Sequence, residues 1–386
     1  MQKLAVVLAA AVLGLGGAQS DESFVPLFDG RTLDGWTNIN CAPDTFTVRD
    51  GVIAVTGVPI CEIRTPRMYE NFVLELEYQH LEPRGNAGVF IWADALPARG
   101  QPFLRAIEVQ VLDGRNSETY TSHGDVFAIH GAVLTPDRPH PKGAMRSLPS
   151  EHRAKGPGEW NHYRITANNG AIQLAVNGKE VSGGYDVSPR KGYIALESEG
   201  APVLFRNIRV RELPPSPTPL TAAQVATADA GHVALYDGKT FANWTVPPAQ
   251  RERWRTHDWR IAHEPAGGGA ASDALVSADE YGDVEVIADW RLVDDESPPA
   301  VGPGVRQLAR RDLRAVVGPL PAPNSRPVGE WNRVVQRFVG NRVTASVNGQ
   351  QTLDELVPDI PRRGRIGLVP LNKRVEFANV FVRRLD

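Results

Sequence analysis

Along most of the chain, apolar and polar residues alternate in short runs broken by turn residues. The clearest run is Arg105-Ala106-Ile107-Glu108-Val109-Gln110-Val111-Leu112-Asp113, where Ile107, Val109 and Val111 interleave with Glu108 and Gln110. A period of two predicts a strand with one packed and one wet face. Residues two apart lie on one face, roughly 7 Å from each other, so Glu108 and Gln110 point the same way, opposite the branched aliphatics. A carboxylate and an amide there suit a hydroxylated ligand, though an ordinary amphipathic strand with a solvated side has the same pattern. Phe72–His80 likewise places Glu75, Glu77 and Gln79 on one face, and Asp44–Arg49 with Val52–Thr56 predicts a hairpin turning at Asp50-Gly51. With 36 glycines, 31 prolines and few helical periods, the chain reads as all-β.

The strand pattern occurs twice. Leu27-Phe28-Asp29-Gly30-Arg31-Thr32-Leu33-Asp34-Gly35-Trp36 returns as Leu235-Tyr236-Asp237-Gly238-Lys239-Thr240-Phe241-Ala242-Asn243-Trp244. Gly158-Glu159-Trp160-Asn161 returns as Gly329-Glu330-Trp331-Asn332, and Val176-Asn177-Gly178 as Val347-Asn348-Gly349. A Pro-, Thr- and Ala-rich stretch lies between the copies. The expected layout is a signal peptide at 1–18, a domain at 22–212, a linker at 213–231 and a second domain at 232–386, each domain an antiparallel β-sandwich.

The copies differ where chemistry would sit. Trp36 and Trp244 are 208 apart and Trp160 and Trp331 are 171 apart, so the second copy is 37 residues shorter between these tryptophans. Aligning Leu104-Arg105-Ala106 with Leu313-Arg314-Ala315 puts most of the loss after that point, over Asp113–Lys155, which carries His123, Asp125, His130, His140 and Lys142. On the matching strand Glu108 becomes Val317 and Gln110 becomes Pro319, which cannot donate to a ladder. A structural requirement shared by both sandwiches would be kept in both, so the comparison favours a function for Glu108 and Gln110. Asp289, by contrast, matches Glu77, which points to a structural role for that carboxylate.

At 386 residues with net charge −3 and no long run of one sign, two domains fit and nucleic acid is excluded as a partner. Lys3, the apolar run Leu4–Leu15 and Gly16-Gly17-Ala18 form a secretory signal, and no later stretch is long and apolar enough to span a membrane, so a secreted or periplasmic protein is expected. Export permits a Cys41–Cys61 disulfide, with two buried free thiols as the alternative.

The shared motifs resemble the bacterial 3-keto-disaccharide hydrolase family. The resemblance rests on Leu27–Trp36, Gly85-Asn86-Ala87-Gly88-Val89-Phe90, Glu108-Val109-Gln110-Val111-Leu112-Asp113, Gly158-Glu159-Trp160-Asn161, and Gly192–Gly200 running into Phe205-Arg206-Asn207-Ile208. It covers nearly all of the first domain, whereas the 232–386 domain carries only the scaffold motifs and resembles a degenerate copy. It implies an exported concanavalin-like jelly roll with a saccharide cleft on its concave sheet, acting on glycosides whose C3 hydroxyl is already a ketone. Where family members carry Gln-Asp-His or Gln-Ser-Glu late in the domain, this chain has Glu197-Ser198-Glu199, and Ala87 stands where Ser is common.

A C3 ketone acidifies the C2 proton; its removal lets the C1 substituent leave, and water addition completes hydrolysis. The route needs a base, a proton for the leaving group and a donor or cation near the C3 oxygen. Glu108 is the expected base or acid, with Gln110 orienting the substrate and Asp113 either assisting or forming a turn. Substrate contacts are expected from Asn86, a stacking Trp92, cationic Arg64 and Lys142, rim His130, and Glu77, Glu197 and Glu199. No cofactor is required; a divalent metal on the enolate oxygen remains compatible, though the histidine spacing matches no zinc signature. The partner is a small saccharide, in a cleft lying wholly in the first domain. The competing readings are a non-catalytic carbohydrate-binding sandwich and a structural or adhesion pair.

Overall fold

The computed structural model describes residues 24–113, 123–141, 143–265, 274–294, 313–319, 322–371 and 373–386. The proposed signal segment and Lys142 lie outside these residues. Apart from two single-turn 3-10 helices, Ala222–Gln224 and Pro248–Gln250, the regular structure described is all β.

Among the described residues, the first half of the chain forms two antiparallel sheets. One has nine strands, with Phe72–His80 between Asn161–Asn168 and Val203–Glu212 near its middle. The other has seven, in the order Arg146–Ser147, Val126–Ile129, Ala106–Leu112, Asn86–Ala93, Tyr193–Ser198, Cys61–Arg64, Thr37–Ile39. The aliphatic faces of the two sheets meet, with Ile107, Val109 and Val111 packed against Leu74, Leu76 and Ile165 in one core. This fixes the direction of Glu108 and Gln110: burying one side of an alternating strand turns the other side outward. Asp50 and Gly51 both have positive φ (49° and 78°) in the turn of the Phe46–Arg49/Val52–Val55 hairpin, the geometry that favours an Asp-Gly pair. Cys41 and Cys61 are joined by a disulfide, with Cα atoms 5.3 Å apart.

Among the described residues, the second half builds an eight-stranded and a four-stranded sheet around a separate core. Leu313–Val317, the counterpart of the Glu108 strand, pairs directly and in parallel with Arg365–Leu368. In the first sandwich Asn86–Ala93 stands between the corresponding strands. The 213–231 segment is not a free tether: Glu70 accepts the Ser216 N–H (2.8 Å), Asp94 accepts the Thr227 N–H (2.7 Å), and Asp229 pairs with Arg64 (2.8 Å).

The two sandwiches also grip each other. A loop of the first domain, Pro97–Gln101, hooks onto the outer sheet of the second. Buried Asp289 accepts the Gly100 N–H (2.7 Å), Arg333 donates to Pro97 O (2.8 Å), and Asn379 donates to Ala98 O (3.2 Å) and Gln101 O (2.9 Å). Phe381 and Ile287 of the second domain join Phe90, Ala195 and Leu104 of the first in a shared apolar cluster.

Candidate active site

The outward face of the seven-stranded sheet collects carboxylates by register. Gly88 is paired with Gln110 on one neighbouring strand, and Glu197 is paired with Glu62 on the next. Glu108 lies two residues along from Gln110, flanked by Phe90 and Phe127. Gly88 makes room for this grouping: a Cβ there would sit 2.8 Å from Glu197 Oε2 and 3.1 Å from Glu108 Oε1. The two carboxyl groups therefore converge over the one position on this face that carries no side chain. Gln110 donates to Asn86 Oδ1 (2.7 Å), and Asn86 donates in turn to Glu199. Asn86 and Glu199 are half-buried at the open edge, whereas Glu62, Glu108, Gln110 and Glu197 are buried.

Burial and mutual repulsion decide the charge state. Desolvation pushes Glu108 up to about 8; Glu199 and Asp125 add to the rise and Arg146 opposes it. Glu197 is pushed well above the carboxylate range by burial first, then by Glu108, Glu199 and Glu62. Burial also drives Glu62 upward, against the Leu104 backbone amide and with help from Glu108 and Glu199. Glu199 rises too, through burial and the charge of Asp258, but the Asn86 donor restrains it. Beside the cluster, Arg146 pairs with Asp125 (2.9 Å) and lies over the Phe127 ring (3.4 Å to its centroid), and buried His123 contacts His152 (3.2 Å). Among the described residues, no three His, Cys, Asp or Glu side chains are grouped so as to hold a metal ion.

Of the residues singled out from sequence, Glu108, Gln110, Asn86, Glu197 and Glu199 come together here. Others do not. Trp92 is a core residue: Ile91 and Trp92 together oppose the single residue between Tyr193 and Ala195, a bulge with Trp92 at φ 55°. The extra residue breaks the alternation, so the indole packs against Phe72 and donates to Glu70 O (2.7 Å). Arg64 is fully buried and structural, donating to Ala95 O (3.0 Å) and Thr65 O (3.1 Å) while paired with Asp229, so it offers no charge to a ligand. Glu77 belongs to the other sheet, where it pairs with Arg206 (2.6 Å) and accepts from Asn207 (3.1 Å). Asp113 lies past the strand end, on the core side with Tyr78 and His80, and accepts the Arg84 N–H (3.1 Å), which makes it a turn residue. His130 stacks on Phe103 (5.8 Å) at the far end of the Val126–Ile129 strand from Asp125.

Glu62, Gly88 and the second domain's Asp258 are additions from the fold. Glu62 had a signal in the alternation Cys61-Glu62-Ile63-Arg64, which places it opposite two core residues. Asp258 had none, because its approach to the site depends on how the two sandwiches dock. A carboxylate of the second domain thus bears on Glu199, whereas the sequence reading expected the cleft wholly in the first domain.

The family profile described as the 3-keto-alpha-glucoside-1,2-lyase-like domain matches residues 23–211 and 309–383. The chain is similar to a 3-keto-disaccharide hydrolase of Bacteroides thetaiotaomicron, 24% identical over 245 residues that span 50% of this chain and 79% of that protein. Among solved structures it is similar to a candidate glycosyl hydrolase from Parabacteroides distasonis (22% identity, 50% of this chain and 95% of that one, TM-score 0.39). A carbohydrate-binding module from Bacillus subtilis is also similar (12% identity, 46% and 96%, TM-score 0.33).

Proposed function

Since the chain belongs to the 3-keto-alpha-glucoside-1,2-lyase-like family, we propose that it is an exported enzyme that cleaves 3-keto-glycosides at C1 by elimination. Glu199 is the base. It is the cluster's carboxyl at the open edge, and the Asn86 donor favours its ionised form. It takes the C2 proton, the C2–H electrons form the C1–C2 double bond of the keto-glycal, and the C1–O bond breaks toward the leaving group. Glu108 is the acid: with its proton held up to about pH 8, it is protonated at neutral pH and gives that proton to the departing oxygen. Water added across the new double bond completes hydrolysis. Gln110 fixes Asn86 and through it Glu199.

The observation that carries this reading is the pair of environments: two carboxyl groups of one cluster, Glu108 buried and pushed up to about 8, Glu199 half-buried and holding an Asn86 donor that restrains its rise. That is the acid–base division the elimination needs. The test is incubation with a C3-oxidised aryl glucoside and its unoxidised parent. Aglycone release from the ketone alone, with deuterium entering C2 in heavy water, is expected. Binding of the ketone without release or exchange would refute the enzyme and favour the binder.

A further inference from the structure

The second sandwich lacks counterparts of Glu108 and Gln110, yet it is built onto the first where the carboxylates sit. Its Trp254–His257/Arg260–His263 hairpin turns at Asp258, whose backbone has φ 53° and whose carbonyl accepts the Tyr236 hydroxyl (2.7 Å). From this fixed turn, Asp258 Oδ1 accepts the Ile60 N–H of the first domain (2.8 Å). Gly238 lies against the same loop so closely that a Cβ there would be 2.6 Å from Pro59 Cγ, and Lys239 pairs with Asp44 (2.7 Å) alongside.

The clasped loop leads straight to the site. Pro59 O accepts the buried Ser198 hydroxyl (2.9 Å), and Gly57 O accepts the Gly200 N–H (2.7 Å). Ser198 is the residue between Glu197 and Glu199. Two residues past Ile60 comes Glu62, which pairs with Glu197 across the strands. One second-domain carboxylate thus holds the loop that anchors both carboxylate-bearing strands at this end of the cluster.

We infer that Asp258 is a positioning residue of the first domain's site, and that the second sandwich is a working wall of that site, not a spare copy. The inference rests on the role just proposed for Glu199. Asp258 acts in two ways: its hydrogen bond seats the Gly57–Ile60 loop under Glu197-Ser198-Glu199, and its negative charge raises the proton affinity of Glu199, making it a stronger base. The groups that set Glu199's environment are Asn86 from the adjoining strand, Glu108, Glu197 and Glu62 from the same sheet face, and Asp258 from the second domain.

The test uses the full chain and needs no substrate for its first readout. Glu carboxyl carbons are labelled with carbon-13, the Glu199 signal is identified by its loss in Glu199→Gln, and its titration is followed by NMR in wild type and Asp258→Asn. Asn keeps an oxygen for the Ile60 N–H but removes the charge. The Glu199 midpoint should fall by about half a pH unit or more, with the melting temperature unchanged. Asp258→Ser serves as a second neutral variant should Asn fold poorly. A midpoint that stays in place in a folded neutral variant overturns the inference. The acid limb of kcat/KM for a 3-keto-glucoside should follow the NMR midpoint downward; a shifted midpoint with an unmoved limb would leave Asp258 where it is inferred to act and refute Glu199 as the base.

Discussion

Replacing Glu108 by Gln should make the protein more stable and nearly inactive, and the gain in stability should depend on pH in a defined way. In the folded chain Glu108 loses its proton near pH 8, whereas its ordinary value is 4.5. Because the folded value is raised, the fold is favoured most below pH 4.5, and stability drains away as pH climbs toward 8. At pH 7 the unfolded chain gains from ionising this carboxyl while the folded one does not, which costs the fold about 3 kcal/mol; at pH 5 the cost is under about 1 kcal/mol. Glutamine fills the same space, remains neutral throughout and escapes the penalty. Urea unfolding of wild type and Glu108→Gln should therefore give similar stability at pH 5 and a variant more stable by about 2–3 kcal/mol at pH 7. Turnover of a 3-keto-glucoside should fall by about 10²–10⁴-fold, the share of a general acid. A variant equal to wild type at both pH values would mean that Glu108 is ionised in the fold, and the acid assignment would fail with it.

Gly88→Ala inserts a methyl 2.8 Å from Glu197 Oε2 and 3.1 Å from both Glu108 Oε1 and the Phe90 ring; the tightest contact is a side-chain end that can shift, so the fold should survive while turnover drops about tenfold or more by misplacement of the acid. Gly100→Ala cannot keep the hook seated, since Gly100 has φ 69° and its Cβ would fall 2.0 Å from the Trp331 ring. Calorimetry should then show the two sandwiches melting apart, and a single unchanged transition would contradict the hook as the coupling element. Removing the Cys41–Cys61 bridge, which spans 20 residues, by double substitution to Ala should cost about 3 kcal/mol. Alkylation of the unreduced protein should add no mass; two alkylated thiols would deny the bridge.

Local pattern alone carried a good deal here. Alternation fixes which face of a strand is buried, and for Ala106–Leu112 that was enough to send Glu108 and Gln110 outward together. The duplicated turns and tryptophans pointed to two sandwiches, and the difference between copies singled out the strand on which Glu108 and Gln110 join the buried carboxyl cluster. What sequence could not show depends on breaks in the period or on contacts between distant segments. A bulge at Ile91-Trp92 advances the strand by one residue and turns a predicted stacking platform into core. Arg64 continues the outward alternation correctly, yet a carboxylate from far along the chain, Asp229, arrives to neutralise it. Glu62 acquires its place beside Glu197 only through strand order, and the clustering of four carboxyl groups, with the raised proton affinities that follow, requires the sheet to be closed up and roofed. Asp258 reaches the site because the sandwiches dock. Periodicity reports the environment of one side of one strand; charge state and site composition depend on which strands and domains are brought together, and tertiary packing decides that.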